Sequence, residues 1–148
     1  MAYFSTQIIQ RKTMEKTFAI IKPDAIAAKN SGKIIDMIEQ NGFTILRMEK
    51  IQLSQEEAKV FYAVHSEKPF FQEVIDFMTS GPVIIMALEK ENAIADWRTL
   101  MGVTDSKKAA EGTIRKLFGT DIMVNCTHGS DSPENAATEL GLFFEDLD

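Results

Sequence analysis

Six consecutive apolar residues, Val83 to Leu88, follow directly on Ser80-Gly81-Pro82. A run of that length bounded by turn residues reads as a strand buried on both faces, because a strand with one wet face would alternate. It calls for helices on either side of a sheet. A second β-branched and aromatic run, Phe18 to Ile21, ends at Lys22-Pro23-Asp24, where proline interrupts the ladder and leaves Lys22 at the strand exit.

Helical spacing fills the intervals. Ile34, Ile35 and Ile38 share a face, with Ser31 as the expected cap and Asn41-Gly42 as the stop. Phe43 to Leu53 alternates only in part, as a long strand with a bend does, and Ser54-Gln55-Glu56-Glu57 is a capping box opening a helix on which Ala58, Phe61, Tyr62 and His65 share a face. Pro69 marks the start of a further helix carrying Phe71, Val74, Ile75 and Met78, and Ala93 to Leu100 reads as another. Met101 to Gly119 mixes glycines with Ala109, Ala110, Ile114 and Leu117, which suits an ordered loop with short helical pieces. Ile122 to Val124 is expected to be a last short strand, and Ser132-Pro133 to open a final helix with Ala136, Ala137, Leu140, Phe143 and Phe144 on one stripe. The expected order is β, α, β, α, α, β, α, loop, β, α: a four-stranded sheet covered by helices in the βαββαβ style, an α+β fold.

With 148 residues, one domain over 14–148 is expected, preceded by an extension at 1–13. That extension, MAYFSTQIIQRKT, is basic and free of acids but short and without signal-peptide order, so it reads as disordered or added ahead of Met14. Sixteen Lys and Arg against 22 Asp and Glu give a net charge of -6, which argues against a general nucleic-acid surface and leaves room for a local basic pocket. No apolar run approaches the ~20 residues that cross a bilayer, so no membrane partner is expected. One cysteine and two histidines are too few for a disulfide framework or a Cys/His metal cluster, and the expected setting is cytoplasmic.

Two motifs fail on inspection. Ala27 to Ile34 resembles a phosphate-binding P-loop, but Ala27 stands in place of its first glycine and Ile34 in place of its Ser/Thr. Asn125-Cys126-Thr127 matches a glycosylation sequon that matters only in a secreted chain. The chemistry concentrates instead in NCTHGSDS, Asn125 to Ser132, expected as a loop between the last strand and the last helix. A neutral imidazole is a good nucleophile near neutral pH, so His128 is a candidate to carry a phosphoryl group, against the alternative of a histidine satisfied in a polar turn. His65, on an apolar helix face, reads as structural. Phosphoryl transfer needs cations about the migrating group, and Lys22, Arg98 and Arg115 sit where they could converge, although each alone also reads as a solvated surface charge.

Taken together, FAIIKPDA from Phe18, Phe61-Tyr62, KPFF from Lys68, FMTSGPV from Phe77, RTLMGVT from Arg98, GTIR from Gly112 and NCTHGSDS resemble the nucleoside diphosphate kinases, bacterial members in particular. The resemblance spans residues 14 to 144. It implies a ferredoxin-like βαββαβ fold and ping-pong exchange of the terminal phosphate between nucleoside triphosphates, mainly ATP, and nucleoside diphosphates. His128 matches the phosphorylated histidine. Lys22, Tyr62, Arg98, Thr104, Arg115 and Asn125 match positions that hold phosphates, ribose or the active-site lattice. Phe70 matches the aromatic that stacks on the base, and Ile122 the apolar wall opposite. Such a pair grips any base by its π-face without reading its edge. Glu139 is expected to orient His128 directly or through Ser130, while the reacting ring nitrogen stays open. Mg2+ is expected on the nucleotide phosphates, with no dedicated protein ligand. Relatives form tetramers or hexamers, so a homo-oligomer is expected. One departure is Ser106 and Glu111, which replace prolines common in relatives and are expected to affect subunit contacts or stability. Against an enzyme of this class stand a nucleotide-binding regulator and a hydrolase using Cys126.

Overall fold

The computed structural model describes residues 14–147; the expected extension at 1–13 lies outside the described residues. Strand β1 (Met14–Ile21) is followed by helices α1 (Pro23–Ala27) and α2 (Ser31–Gln40), strand β2 (Thr44–Ile51), helices α3 (Gln55–Phe61) and α4 (Phe71–Met78), and strand β3 (Val83–Glu91). Helices α5 (Ala93–Met101) and α6 (Ile114–Phe118), strand β4 (Thr127–Gly129) and helix α7 (Pro133–Phe143) complete the order. The sheet runs β2-β3-β1-β4 with every pairing antiparallel. That is the ferredoxin-like βαββαβ order, with the α3–α4 pair inserted between β2 and β3.

Burial explains why the two apolar runs are central. Val83 to Leu88 and Phe18 to Ile21 are buried throughout and pair with each other, Phe18 opposite Ala87 and Ile21 opposite Ile84. Because side chains alternate across a strand, Ala19 and Ile21 face a cluster with Ile34, Ile38, Trp97 and Met101 from α2 and α5. Phe18 and Ile20 face the other, with Met78, Leu140 and Phe144. The bend expected in the second strand is a register shift between Ile45 and Arg47.

Several local expectations needed revision. Asn30, with helical backbone angles, precedes α2, so Ser31 is its first residue rather than its cap. The proline step after β1 does not only end the strand; Pro23 opens the short helix α1, a position that suits a residue without an N–H. Helix α4 starts at Phe71, two residues past Pro69. Ile122 to Val124 is not a strand: Asp121 Oδ1 accepts the backbone N–H of Met123 at 2.9 Å and of Val124 at 2.8 Å, and this side-chain turn takes the donors a ladder would need. The last strand lies further on, at Thr127–Gly129, so His128 sits within the sheet opposite Ile20 and not on a loop. The expected capping box is present: Ser54 accepts from Glu57 N–H at 3.0 Å and Glu57 accepts from Ser54 N–H at 2.9 Å. Ser132 caps α7 by accepting from Asn135 N–H. Ser106 is buried in a short 3-10 turn, its hydroxyl unpartnered and tight against Gly119.

Candidate active site

Strand β4 holds His128 on the face shared with Phe18, whose ring centroid lies 6.3 Å from the imidazole. Phe61, at 5.0 Å, and Tyr62, at 6.4 Å, meet the same ring edge-on from α3 and its end. The imidazole is thus walled by aromatics, and its Nε2 lies 3.0 Å from Glu139 Oε1 on α7. Ser130 Oγ donates to that same oxygen at 2.7 Å, and the backbone N–H of Phe18 donates to Ser130 Oγ. Glu139 thus meets His128 directly, and Ser130 steadies the carboxylate rather than bridging it to the ring. Burial pushes the His128 pKa below its ordinary value, while Glu139 pulls the other way. The neutral ring is the form that results near pH 7. No protein hydrogen bond reaches Nδ1 among the described residues, and the ring lines the open cleft.

The cations arrive from three elements. Lys22, at the β1 exit, donates from Nζ to Asn125 Oδ1 at 2.7 Å; burial, and then Arg115, lower its pKa to about 8. Asn125 is itself fixed, donating from Nδ2 to the carbonyls of Thr104 and Ile122 at 3.0 Å each. Arg115 lies on α6, not in a loop, and its guanidinium donates to the carbonyls of Asn125, Gly102 and Thr127 at 3.3, 2.9 and 2.8 Å. Two of its five N–H groups remain for a ligand. Burial, then Arg98, bring its pKa down to about 10, so it stays charged at neutral pH. Arg98 and Thr104 are exposed on the same cleft wall.

Beyond the phosphate end the cleft opens into a cavity of about 420 Å³ between α4 and the 120–125 turn. Phe70 lines one side and Ile122 the other, 47% and 64% exposed, which is far more than core residues of their size. Ile122 is apolar because it faces this cavity, and that is why it imitated a strand residue in the sequence. Every predicted site residue thus borders one connected cleft or supports it directly. Sequence reasoning missed Asp24 and Trp97, which act on backbone: Asp24 Oδ2 accepts from Cys126 N–H, and Trp97 Nε1 donates to the carbonyl of His128. Asp24 stands inside the FAIIKPDA motif, but its backbone partner, like that of Trp97, leaves no periodic signal. His65 also lines the cleft, with its Nδ1 buried and unpartnered.

The hydrolase alternative does not survive the geometry. Cys126 is wholly buried, and burial, followed by the Asp24 carboxylate, pushes its thiol up to about 12. A thiol so placed is not a nucleophile at neutral pH.

Comparison with known proteins agrees with this geometry. The profile of the family described as nucleoside diphosphate kinase matches residues 15–148. The chain is 57% identical over 135 residues to the nucleoside diphosphate kinase of Pelobacter propionicus, covering 91% of this chain and 98% of that one. It is 56% identical, over the same shares, to that of Desulfotalea psychrophila. Among solved structures, the Aquifex aeolicus nucleoside diphosphate kinase superposes with a TM-score of 0.87 at 46% identity, covering 88% of this chain and 95% of that one. The Halobacterium salinarum nucleoside diphosphate kinase, in complex with CDP, superposes with a TM-score of 0.86 at 38% identity, over 90% and 91% of the two chains.

Proposed function

The chain belongs to the nucleoside diphosphate kinase family, and from that premise we propose how its residues pass the terminal phosphate of a nucleoside triphosphate to a nucleoside diphosphate. The observation that carries the reading is the His128–Glu139 contact at 3.0 Å. With Nε2–H donating to Glu139, the lone pair rests on Nδ1, so Nδ1 is the nucleophile. A bond forms from Nδ1 to the γ-phosphorus as the bond from that phosphorus to the β-γ bridging oxygen breaks, and the diphosphate leaves with the electron pair. A terminal oxygen of a second diphosphate then attacks the same phosphorus and the N–P bond breaks, restoring neutral His128. Glu139 steadies the positive charge that the ring gains in between.

Lys22, Arg98 and Arg115 supply the charge that phosphoryl transfer requires, and Thr104 a hydroxyl for phosphate oxygens. Asn125 and Lys22 share the ribose end. Tyr62 stays a neutral phenol, since burial and then Glu139 raise its pKa, and so can only donate through its O–H or pack. Phe70 and Ile122 hold the base by its faces, which suits purines and pyrimidines alike. Mg2+, borne by the nucleotide phosphates, would offset their charge. The nearby carboxylates suit that arrangement, because Glu139 is engaged by His128 and Ser130, and Asp131 by Asn135. Among the described residues no group of three or more His, Cys, Asp or Glu could hold a metal ion, and no helix is long and apolar enough to cross a membrane. The proposal includes a cytoplasmic setting and a homo-oligomer, a tetramer or hexamer.

Intact-protein mass after brief mixing with ATP and magnesium tests the reading. One acid-labile phosphate is expected, discharged by GDP and absent from His128→Ala, which still binds nucleotide. A folded wild-type protein that binds ATP and gains no mass would leave a nucleotide-binding regulator in its place.

A further inference from the structure

Between Asn125 and His128 the backbone makes its sharpest departure. Cys126 has φ +74°, a conformation that side-chain-bearing residues rarely adopt, and Thr127 N–H donates back to the Asn125 carbonyl at 2.9 Å. The three residues form a γ-turn of the strained hand, which persists only where neighbours over-determine it. This turn sets the spacing between the two working ends of the site: Asn125, which holds Lys22, and His128.

Neighbours do over-determine it. The Lys22 backbone N–H donates to the Cys126 carbonyl at 2.7 Å, and Arg115 donates to the carbonyls on either side, of Asn125 and Thr127. The N–H at the centre of the turn, that of Cys126, donates to Asp24 Oδ2 at 3.1 Å, from a residue 102 positions away. The other oxygen, Oδ1, is buried without a hydrogen bond, and burial raises the carboxyl's pKa, which the Lys22 ammonium and then the nearby backbone N–H groups partly offset.

We propose that Asp24 is a positioning residue for the phosphoryl transfer: its carboxylate holds the strained Cys126 turn, and so keeps His128 in line with the phosphate that Lys22, Arg98 and Arg115 receive. This rests on the phosphohistidine reading above. Asp24 is not among the residues that line the cleft. Its loss therefore slows the chemical step and leaves nucleotide affinity largely alone.

The experiment uses the full chain and compares wild type with Asp24→Ala, Asp24→Asn and the double variant Asp24→Ala/Cys126→Gly. Single-turnover phosphorylation by ATP and magnesium is followed by rapid quench, and ADP affinity by calorimetry. Asp24→Ala is expected to slow phosphorylation about 10- to 100-fold, the scale of an ångström-sized misplacement, with ADP affinity within about threefold. Asp24→Asn keeps an acceptor oxygen and is expected within about fivefold of wild type. Glycine adopts positive φ without strain, so adding Cys126→Gly is expected to bring Asp24→Ala back to within about fivefold. Wild-type speed in Asp24→Ala overturns the proposal, as does an Asn variant as slow as Ala with no rescue by glycine, which would assign Asp24 to the charge balance around Lys22. If Asp24→Ala does not fold, the Asn and double variants decide by the same rates, and failure of the double variant to fold overturns the proposal. A wild-type chain that takes up no phosphate instead removes the underlying phosphohistidine reading.

Discussion

Lys22 and His128 are both shifted downward by burial, with opposite consequences for the form that works. His128 must be neutral to attack, so lowering its pKa below 6.5 widens the working range on the acid side. In the proposed transfer Lys22 meets phosphate as a cation, so a pKa of about 8 narrows that range on the alkaline side. The profile of kcat/KM against pH is expected to rise through a pKa below 6.5 and fall through one near 8. Arginine does not titrate there, so Lys22→Arg is expected to lower the rate and abolish the alkaline limb; a limb that stays belongs to another group. Stability has its own sign. In each case the unfolded chain keeps the proton to higher pH, so both groups make stability increase with pH, Lys22 between about 8 and 10.5 and His128 as pH climbs toward 6.5.

At the scale of elements, β4 is the shortest strand of the sheet and carries the reactive side chain. Three residues cannot fix a strand alone; α5 presses on it. A Cβ built at Gly129 would lie 2.5 Å from Trp97 Cδ1 and 2.6 Å from Met101 Cε. Gly129→Ala is accordingly expected to destabilise the fold by about 1–3 kcal/mol and to slow phosphorylation, read by denaturant unfolding and rapid quench on the same sample. Unchanged stability would mean that α5 yields easily. The same element marks the limit of what the sequence disclosed. The long elements were legible because burial on both faces leaves β1 and β3 as unbroken apolar runs and burial on one face gives α2, α4 and α7 their helical spacing. Strand β4 was not, because Thr127, His128 and Gly129 carry no apolar run, while the apolar Ile122 and Met123 line a cavity instead of a sheet. The site residues His128, Lys22 and Asn125 were legible as motif. The backbone role of Arg115 was not, since carbonyl partners 10 to 13 residues away have no sequence signature.

For the molecule as a whole, helices cover both sheet faces and the site lies where α3, α4, α7 and the 120–125 turn converge on one end of β1 and β4. Since the family profile starts at residue 15, a chain beginning at Met14 is expected to keep the exchange rate and the assembly size of the full chain. Light scattering after size exclusion, with a coupled exchange assay, checks both, and a loss of either would give residues 1–13 a role. The proposed tetramer or hexamer is read from the same mass, and a monomer would contradict it. Trp97 closes the account in a different way. It is the chain's one tryptophan, wholly buried, and its indole N–H lies 3.2 Å from the carbonyl of the residue that takes the phosphate. The protein therefore carries its own optical probe: at wavelengths that excite indole and not tyrosine, emission comes from this one residue, packed against the strand beneath the reacting imidazole.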